Sequence, residues 1–200
     1  MPRSLLPQNF YARDALLVAR DLLGQRLVRG RVVLRITEVE AYRHPNDSAN
    51  HCRAGKTVRN APMWGPPGHA YVYLCYGIHS MLNMVTNAEG EGAAVLVRSC
   101  EPIEGLSIIR RRRKGFDGPA LLTGPGKVAA ALLLTTAWSG HPLFVPGGLE
   151  VRKGDSPRMI LVGPRVGIDY ADPDGRRAPY RFAAGDSAWV TERKKLKPLA

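Results

Sequence analysis

The apolar positions of this chain keep two rhythms in its first third. In "ARDALLVARDLLG", Leu16, Val18, Ala19, Leu22 and Leu23 recur at near-helical spacing and Gly24 supplies a stop, which predicts an amphipathic helix. From Arg31 the period falls to two. Val32, Leu34 and Ile36 share one strand face, and Glu38 and Glu40 continue that face, so a buried surface is expected to run directly into two acids. The segment from Arg43 to Gly68 is rich in Pro, Gly, Asn and charge and reads as a long ordered loop closed by the turn "WGPPGH". Then "AYVYLCYG", "IHSMLNMVTN" and "GAAVLVRSCEP" predict a meander of antiparallel strands. "EPIEGLSIIRRRRK" predicts a helix begun near Pro102 and ended by Gly115, and "TGPGKVAAALLLTT" another starting near Gly126. Short strands are expected in "RMILVGPRVGI", "YRFAAG" and "SAWVTE". With no repeat and no linker, residues 1–200 are expected to form one compact α+β domain, a curved antiparallel sheet surrounded by helices.

Composition narrows the partners. The 200 residues are 44% apolar, enough for a real core. Lys and Arg outnumber Asp and Glu by 29 to 17, and the net charge of +12 favours a polyanion such as nucleic acid, or an anionic membrane surface. Cys52, Cys75 and Cys100 are an odd number without a CxxC pair, which argues against a disulfide framework or a four-cysteine zinc site and fits a reducing compartment. The N-terminus has no apolar core of signal-peptide type, and no stretch approaches the roughly 18 apolar residues that span a bilayer. A soluble intracellular protein, not a secreted one, is expected.

The densest chemistry lies in "ITEVEAYRHPNDSANHCR", which holds Glu38, Glu40, Tyr42, His44, Asp47, His51 and Cys52. Paired glycosidase carboxylates flank a substrate from opposite sides at roughly 5–9.5 Å, a task that two acids at i and i+2 of one strand do poorly. Either one of them does chemistry or both pair with basic side chains at a strand end. His44, Asp47 and His51 are suitable donors but match no metal spacing, so no metal is expected. "TGPGKV" lacks the phosphate-loop pattern, with Val128 where a hydroxyl is needed, although a helix start there can still hold one phosphate. "RRRRK", Arg110 to Lys114, is either a solvated helix face or a contact for nucleic-acid phosphates. Tyr71, Tyr73 and Tyr76 crowd one strand. Tyr76, beside Gly77 at a turn, suits stacking or wedging into a duplex, while tyrosine is also simply a good strand residue.

At "EVEAY", followed by "NHCRAG", "RNAPMWGPPGHAYVYLCYGIHSMLN" and "GAAVLVRSCEPIEG", the chain resembles the alkyladenine DNA glycosylases, also called 3-methyladenine DNA glycosylases. The resemblance continues through "TGPGKVAAAL", "RVGI" and "YRFAAGDSAWVT", covering about Leu5 to Thr191 in one consistent order. It implies hydrolysis of the N-glycosidic bond of damaged purines in duplex DNA, of the 3-methyladenine, 7-methylguanine and hypoxanthine type. It implies a monomer without metal or organic cofactor, working in the cytoplasm at the nucleoid, or in a nucleus, and away from membranes. By motif, Glu40 resembles the general base. Tyr42, His51 and Tyr73 resemble the pocket walls and a hydrogen-bonding group for a flipped base, and Tyr76 the wedge that fills the gap in the helix. Asn83 resembles the residue that screens out guanine-type amines, and Arg98 the one that holds the water or a nearby phosphate. Arg59, Lys127, Arg110 and Arg111 are candidates for contacts to the DNA backbone. The loop after His51 is one residue shorter than in some relatives, and Trp64 stands where phenylalanine is common; both bear on substrate preference.

This reading has a chemistry. A base inside a duplex must be rotated out, at a cost of roughly a few kcal/mol. A cationic alkylpurine between two tyrosine rings gains about 0.5–2 kcal/mol over a neutral one and is the better leaving group. No lysine is singled out as a nucleophile, which implies a monofunctional enzyme that leaves an abasic site. Two rivals stay open: a non-catalytic nucleic-acid-binding domain on the same fold, and a hydrolase of free nucleosides.

Overall fold

The computed structural model describes residues 3–199. A short helix α1 (Gln8–Tyr11) precedes α2 (Ala15–Leu22), which Asp14 caps by accepting the Leu16 N–H at 2.8 Å. Ala15, Val18, Ala19 and Leu22 form its buried face. The stop is at Gly24, whose φ of 85° and close neighbour both exclude a side chain: a Cβ there would lie 2.0 Å from the Asp155 carbonyl oxygen.

Nine strands follow: β1 (Arg26–Arg29), β2 (Val32–Tyr42), β3 (Ala70–Cys75), β4 (His79–Val85), β5 (Ala94–Glu104), β6 (Leu149–Arg152), β7 (Ile160–Gly163), β8 (Arg181–Ala184) and β9 (Lys197–Pro198). They form one open sheet in the order β3-β4-β5-β2-β8-β7-β9, with antiparallel pairings throughout, and β1 links β6 to β2. The expected meander β3-β4-β5 is present. β5 lines one edge of β2. On the other edge β1 pairs with Val32–Arg35 and β8 takes over at Glu38–Glu40. Helices α3 (Leu106–Arg112), α4 (Pro125–Ala131) and α5 (Pro173–Arg177) complete the mixed α+β fold. Among the described residues no helix is long and apolar enough to cross a membrane.

The face assignment of β2 needs correction. Ile36 is opposite Cys100, Glu38 opposite Ser99 and Val39 opposite Val97, so β2 carries an extra residue at Thr37 and β5 answers with one at Arg98. Two bulges back to back turn both strands over. The core face of β2 changes from Val32, Leu34 and Ile36 to Val39 and Ala41, and that of β5 from Cys100 to Val97 and Val95. Glu38 and Glu40 therefore leave the apolar core instead of continuing it, and Arg98 leaves with them.

Other expectations also shift. The helix expected near Pro102 starts only at Leu106, after Gly105, because residues 101–104 extend β5; Pro102 sits at a register shift where its missing N–H is tolerated. "SAWVTE" is not a strand. It crosses beneath β2 as irregular chain, and Thr191 donates both its N–H and its hydroxyl to Glu38. The long loop contains a 3-10 turn, Ala61–Trp64.

Glu38 ties the sheet together. Fully buried, it accepts from Arg98 Nε at 3.1 Å, Ser99 Oγ at 2.8 Å, Arg181 Nε at 2.8 Å, and Thr191 N and Oγ1 at 2.8 and 2.6 Å. Burial alone would raise its carboxyl, but the guanidiniums of Arg98 and Arg181 and the Thr191 hydrogen bonds outweigh it and hold the group below its usual 4.5. Glu38→Gln should destabilise the protein by about 3–5 kcal/mol in urea unfolding, because the buried Arg181 then keeps only the half-exposed Glu192 carboxylate, 3.9 Å from its Nη1. A depressed carboxyl stabilises the fold fully above pH 4.5 and ceases to do so as pH falls through its lowered value. A loss below ~1 kcal/mol in the variant would show the node to be dispensable.

Candidate active site

The two bulges aim Arg98 between two carboxylates. Its Nε donates to Glu38, and its Nη1 lies 3.2 Å from Glu40 Oε1. Glu40 is fully buried; Oε1 also accepts the Val166 N–H at 2.8 Å, and Oε2 accepts the Tyr42 hydroxyl at 2.9 Å. Burial works against the charge on Arg98, yet Glu40 and Glu38 together raise it above its ordinary value, so it stays cationic.

In front of Glu40 opens a cavity of about 480 Å³. Glu40's partners Tyr42, Arg98 and Val166 all line it, and Glu40 itself stands directly behind that wall. His51, Tyr73 and Asn83 line it as well, and Arg59 and Tyr76 border it. The strand periodicity, a loop and a hairpin thus converge on one space. Tyr42 is clamped from behind. Arg165 lies 4.7 Å over its ring and grips Asp47 with both terminal nitrogens, at 2.6 and 2.7 Å. Asp47 in turn accepts the N–H groups of Arg43 and Ala49, which fixes the loop. Burial, and then the Glu40 charge, push the Tyr42 phenol well above its usual range, so it remains a donor.

His44, Asp47 and His51 do not meet. His44 packs edge-on against Trp64 at 4.9 Å, Asp47 is spent on Arg165, and His51 packs edge-on against Tyr73 at 4.6 Å. Cys52 is buried against Met63 rather than facing the cavity. Asn83 gives its Nδ2 to the carbonyls of Tyr71 and Met81, at 3.2 and 3.4 Å.

Tyr76 occupies the tip of the β3–β4 hairpin. It and Gly77 both have positive φ, 51° and 72°, and Ile78 N–H closes the turn on the Cys75 carbonyl at 3.2 Å. The ring is 92% exposed, so a turn conformation that glycine favours is imposed on a tyrosine that packs against little. Leu74 and Ile78 are exposed beside it.

The remaining basic candidates lie elsewhere. Lys127 is on the first turn of α4, next to the cavity-lining Pro125 but not itself in the lining. Arg110 forks onto Asp117 in an exposed pair. Arg111 lines a separate groove. Sequence reasoning missed Arg165, which supports Tyr42, and the cavity-lining Val166, Ile168 and Tyr170, although "RVGI" had marked the place of the first three. It also missed Arg181 and Thr191 as the support of Glu38.

His51 is the titratable group whose state matters most at neutral pH. Burial, then the charges of Arg59 and Arg53, lower its imidazole to about 4, and its Nδ1 lies 3.3 Å from the Tyr71 hydroxyl. It is therefore neutral at pH 7. An NMR titration of the ring should show a midpoint near 4, and Arg59→Ala should raise it. Between the ordinary value of 6.5 and 4 the unfolded chain binds a proton that the fold refuses, so stability should fall as pH falls through that window, and His51→Gln should flatten the slope. A midpoint near 6.5 would contradict this environment.

Comparison with known proteins agrees with the geometry. The methylpurine-DNA glycosylase family profile matches residues 9–188. A protein of Nitrosococcus oceani that carries the name "Putative 3-methyladenine DNA glycosylase" is 62% identical over 194 residues, 97% of this chain and 96% of its own. A DNA-3-methyladenine glycosylase of Arabidopsis thaliana is 57% identical over 198 residues, 98% of this chain and 78% of its own. A relative from Methanocella arvoryzae with the same name as the first is 47% identical over 194 residues, 94% and 96% of the two chains. The chain belongs to the methylpurine-DNA glycosylase family, a hydrolase family of DNA repair.

Proposed function

We propose that this protein flips alkylated or deaminated purines, of the 3-methyladenine, 7-methylguanine and hypoxanthine type, out of duplex DNA and hydrolyses the N-glycosidic bond, working as one monomeric domain. The observation that carries this reading is the buried carboxylate of Glu40 behind the wall of an aromatic cavity whose mouth is bordered by an exposed tyrosine on a fixed turn. Glu38 is equally buried and serves the sheet, whereas the three partners of Glu40, Tyr42, Arg98 and Val166, all line the cavity.

The steps follow from the parts. Tyr76 enters the stack as the nucleotide leaves and retards its return. The basic surface supplies binding independent of sequence, which damage recognition requires. The flipped base lies between Tyr42 and Tyr73, with His51 at its edge and Asn83 limiting its depth. Because the Asn83 amide nitrogen is already committed to backbone carbonyls, its rejection of a guanine-type amine is steric. Arg59, stacked 5.4 Å from the centre of Tyr73, offsets part of the ring's attraction for a cationic base. A neutral His51 can hydrogen-bond the base but is not a reservoir of protons at pH 7.

As the C–N bond breaks, positive charge develops on the sugar, and the Glu40 carboxylate stabilises it while accepting a proton from the attacking water. Oε2 accepts the Tyr42 hydroxyl, so the cavity-lining Tyr42 links the carboxylate to the space in front of it. Arg98, whose Nη1 lies 3.2 Å from Oε1, orients the carboxylate. Among the described residues no lysine lines the cavity, which supports hydrolysis without a Schiff base.

Single-turnover base release from hypoxanthine-containing duplexes and from methylated DNA tests the reading. The wild type should release base and leave a strand that breaks only on heating in alkali. Glu40→Gln should be slower by about 10²–10⁴-fold while binding the duplex within a few-fold of wild type. Binding without release by both proteins would favour the non-catalytic reading, and equal action on free nucleosides would favour a nucleoside hydrolase.

A further inference from the structure

At the other end of β2 lies a second concave surface. Where β1 turns into β2, Arg29 and Arg31 face Arg111 and Arg112 from the last turn of α3 across an open groove of about 1210 Å³. Eight residues of strand separate Val32, in this groove, from Glu40, roughly 26 Å at ~3.3 Å per residue. The groove therefore takes no part in the base cavity.

Its charge is uncompensated. Glu104 is the one acid in the lining, and among the described residues none of the four arginines makes an ion pair. Two of the four are also held in place. The Arg29 guanidinium lies 4.4 Å over the Trp138 ring, and Arg112 Nη1 donates to the Ala131 carbonyl at 2.7 Å. Arg29 Nη1 is shut off from solvent and has no acceptor. Burial, and then the charge of Arg112, lower the Arg29 guanidinium from its ordinary value, the sign of two cations kept close without an anion. A solvated patch would let such side chains spread. Planar guanidiniums around a common space, two of them fixed, match the several oxygens of a phosphate group, and an anion placed there would relieve the repulsion.

We infer that this groove is a second phosphate-binding site, formed by Arg29, Arg31, Arg111 and Arg112, which takes either the phosphodiester backbone of a second stretch of duplex or a free phosphate ester. The inference stands whether or not the glycosylase reading does.

Arg31→Glu tests it, because that side chain is exposed and reversing its charge leaves the held Arg29 and Arg112 in place. Lys194→Glu, equally exposed, makes the same charge change elsewhere and serves as the control. Calorimetric titration with inorganic pyrophosphate and with a short undamaged duplex should show Arg31→Glu at least ~10-fold weaker than Lys194→Glu for one of the two. Loss of pyrophosphate binding alone assigns a free phosphate ester, and loss of duplex binding assigns the phosphodiester. In both cases the melting temperature of the wild type should rise with that probe and that of Arg31→Glu should not. If Arg31→Glu and Lys194→Glu bind both probes alike, or the wild type binds neither, the inference is overturned. Base release is followed in the same samples. Arg31→Glu should retain the wild-type rate at saturating DNA, whereas failure of the wild type to release base would count against the glycosylase reading alone.

Discussion

A carboxylate with no solvent contact must have its charge matched by the protein, and here two of them, Glu38 and Glu40, share one cation. Arg98 is the hinge of the design. One end of its guanidinium closes the structural node at Glu38, and the other reaches the carboxylate behind the cavity. The node recruits β8 through Arg181 and the irregular tail through Thr191, so distant parts of the chain converge on the position of one side chain. The paired bulges make this possible. Without them Arg98 and both glutamates would point into an apolar core where no arrangement of charge could be stabilised.

The cavity is built the same way, with buried ion pairs used for position rather than stability. Asp47 and Arg165 lock the long loop onto the "RVGI" turn, and between them they fix Tyr42 and carry Val166 to Glu40. Removing one partner of such a pair would leave the other charged and buried, at a cost of about 3–5 kcal/mol. The hairpin tip is the opposite case. Tyr76 is held by backbone geometry alone and is left free to meet a partner.

Much of this was legible in the sequence, and the gaps have physical reasons. Period-two alternation revealed β2 and put Glu38 and Glu40 on a common face, which the structure retains. It could not reveal that the face changes sides, because nothing in Thr37 or Arg98 marks a bulge; bulges arise from pairing with another strand, not from local preference. Pro102 misled for a related reason, since proline signals a helix start and a strand irregularity equally well. The site residues that resemblance pointed to do gather around one cavity, but Asp47 and Arg165 are 118 positions apart, and their bond is a fact of tertiary structure. The run Arg110–Lys114 read as a single basic patch. In the fold its members diverge, with Arg110 paired to Asp117 and Arg111 and Arg112 turned toward Arg29 and Arg31.

The central claim is that a nucleotide leaves the duplex and comes to rest in this cavity against Glu40. A crystal structure with a duplex carrying a positively charged pyrrolidine in place of one deoxyribose tests it most directly, because that ring imitates the charge of the breaking sugar. The account predicts the pyrrolidine nitrogen within hydrogen-bond distance of Glu40, with Tyr76 in the vacated stack. A duplex bound with the pyrrolidine still stacked inside it, or seated on another face with the cavity empty, would contradict it.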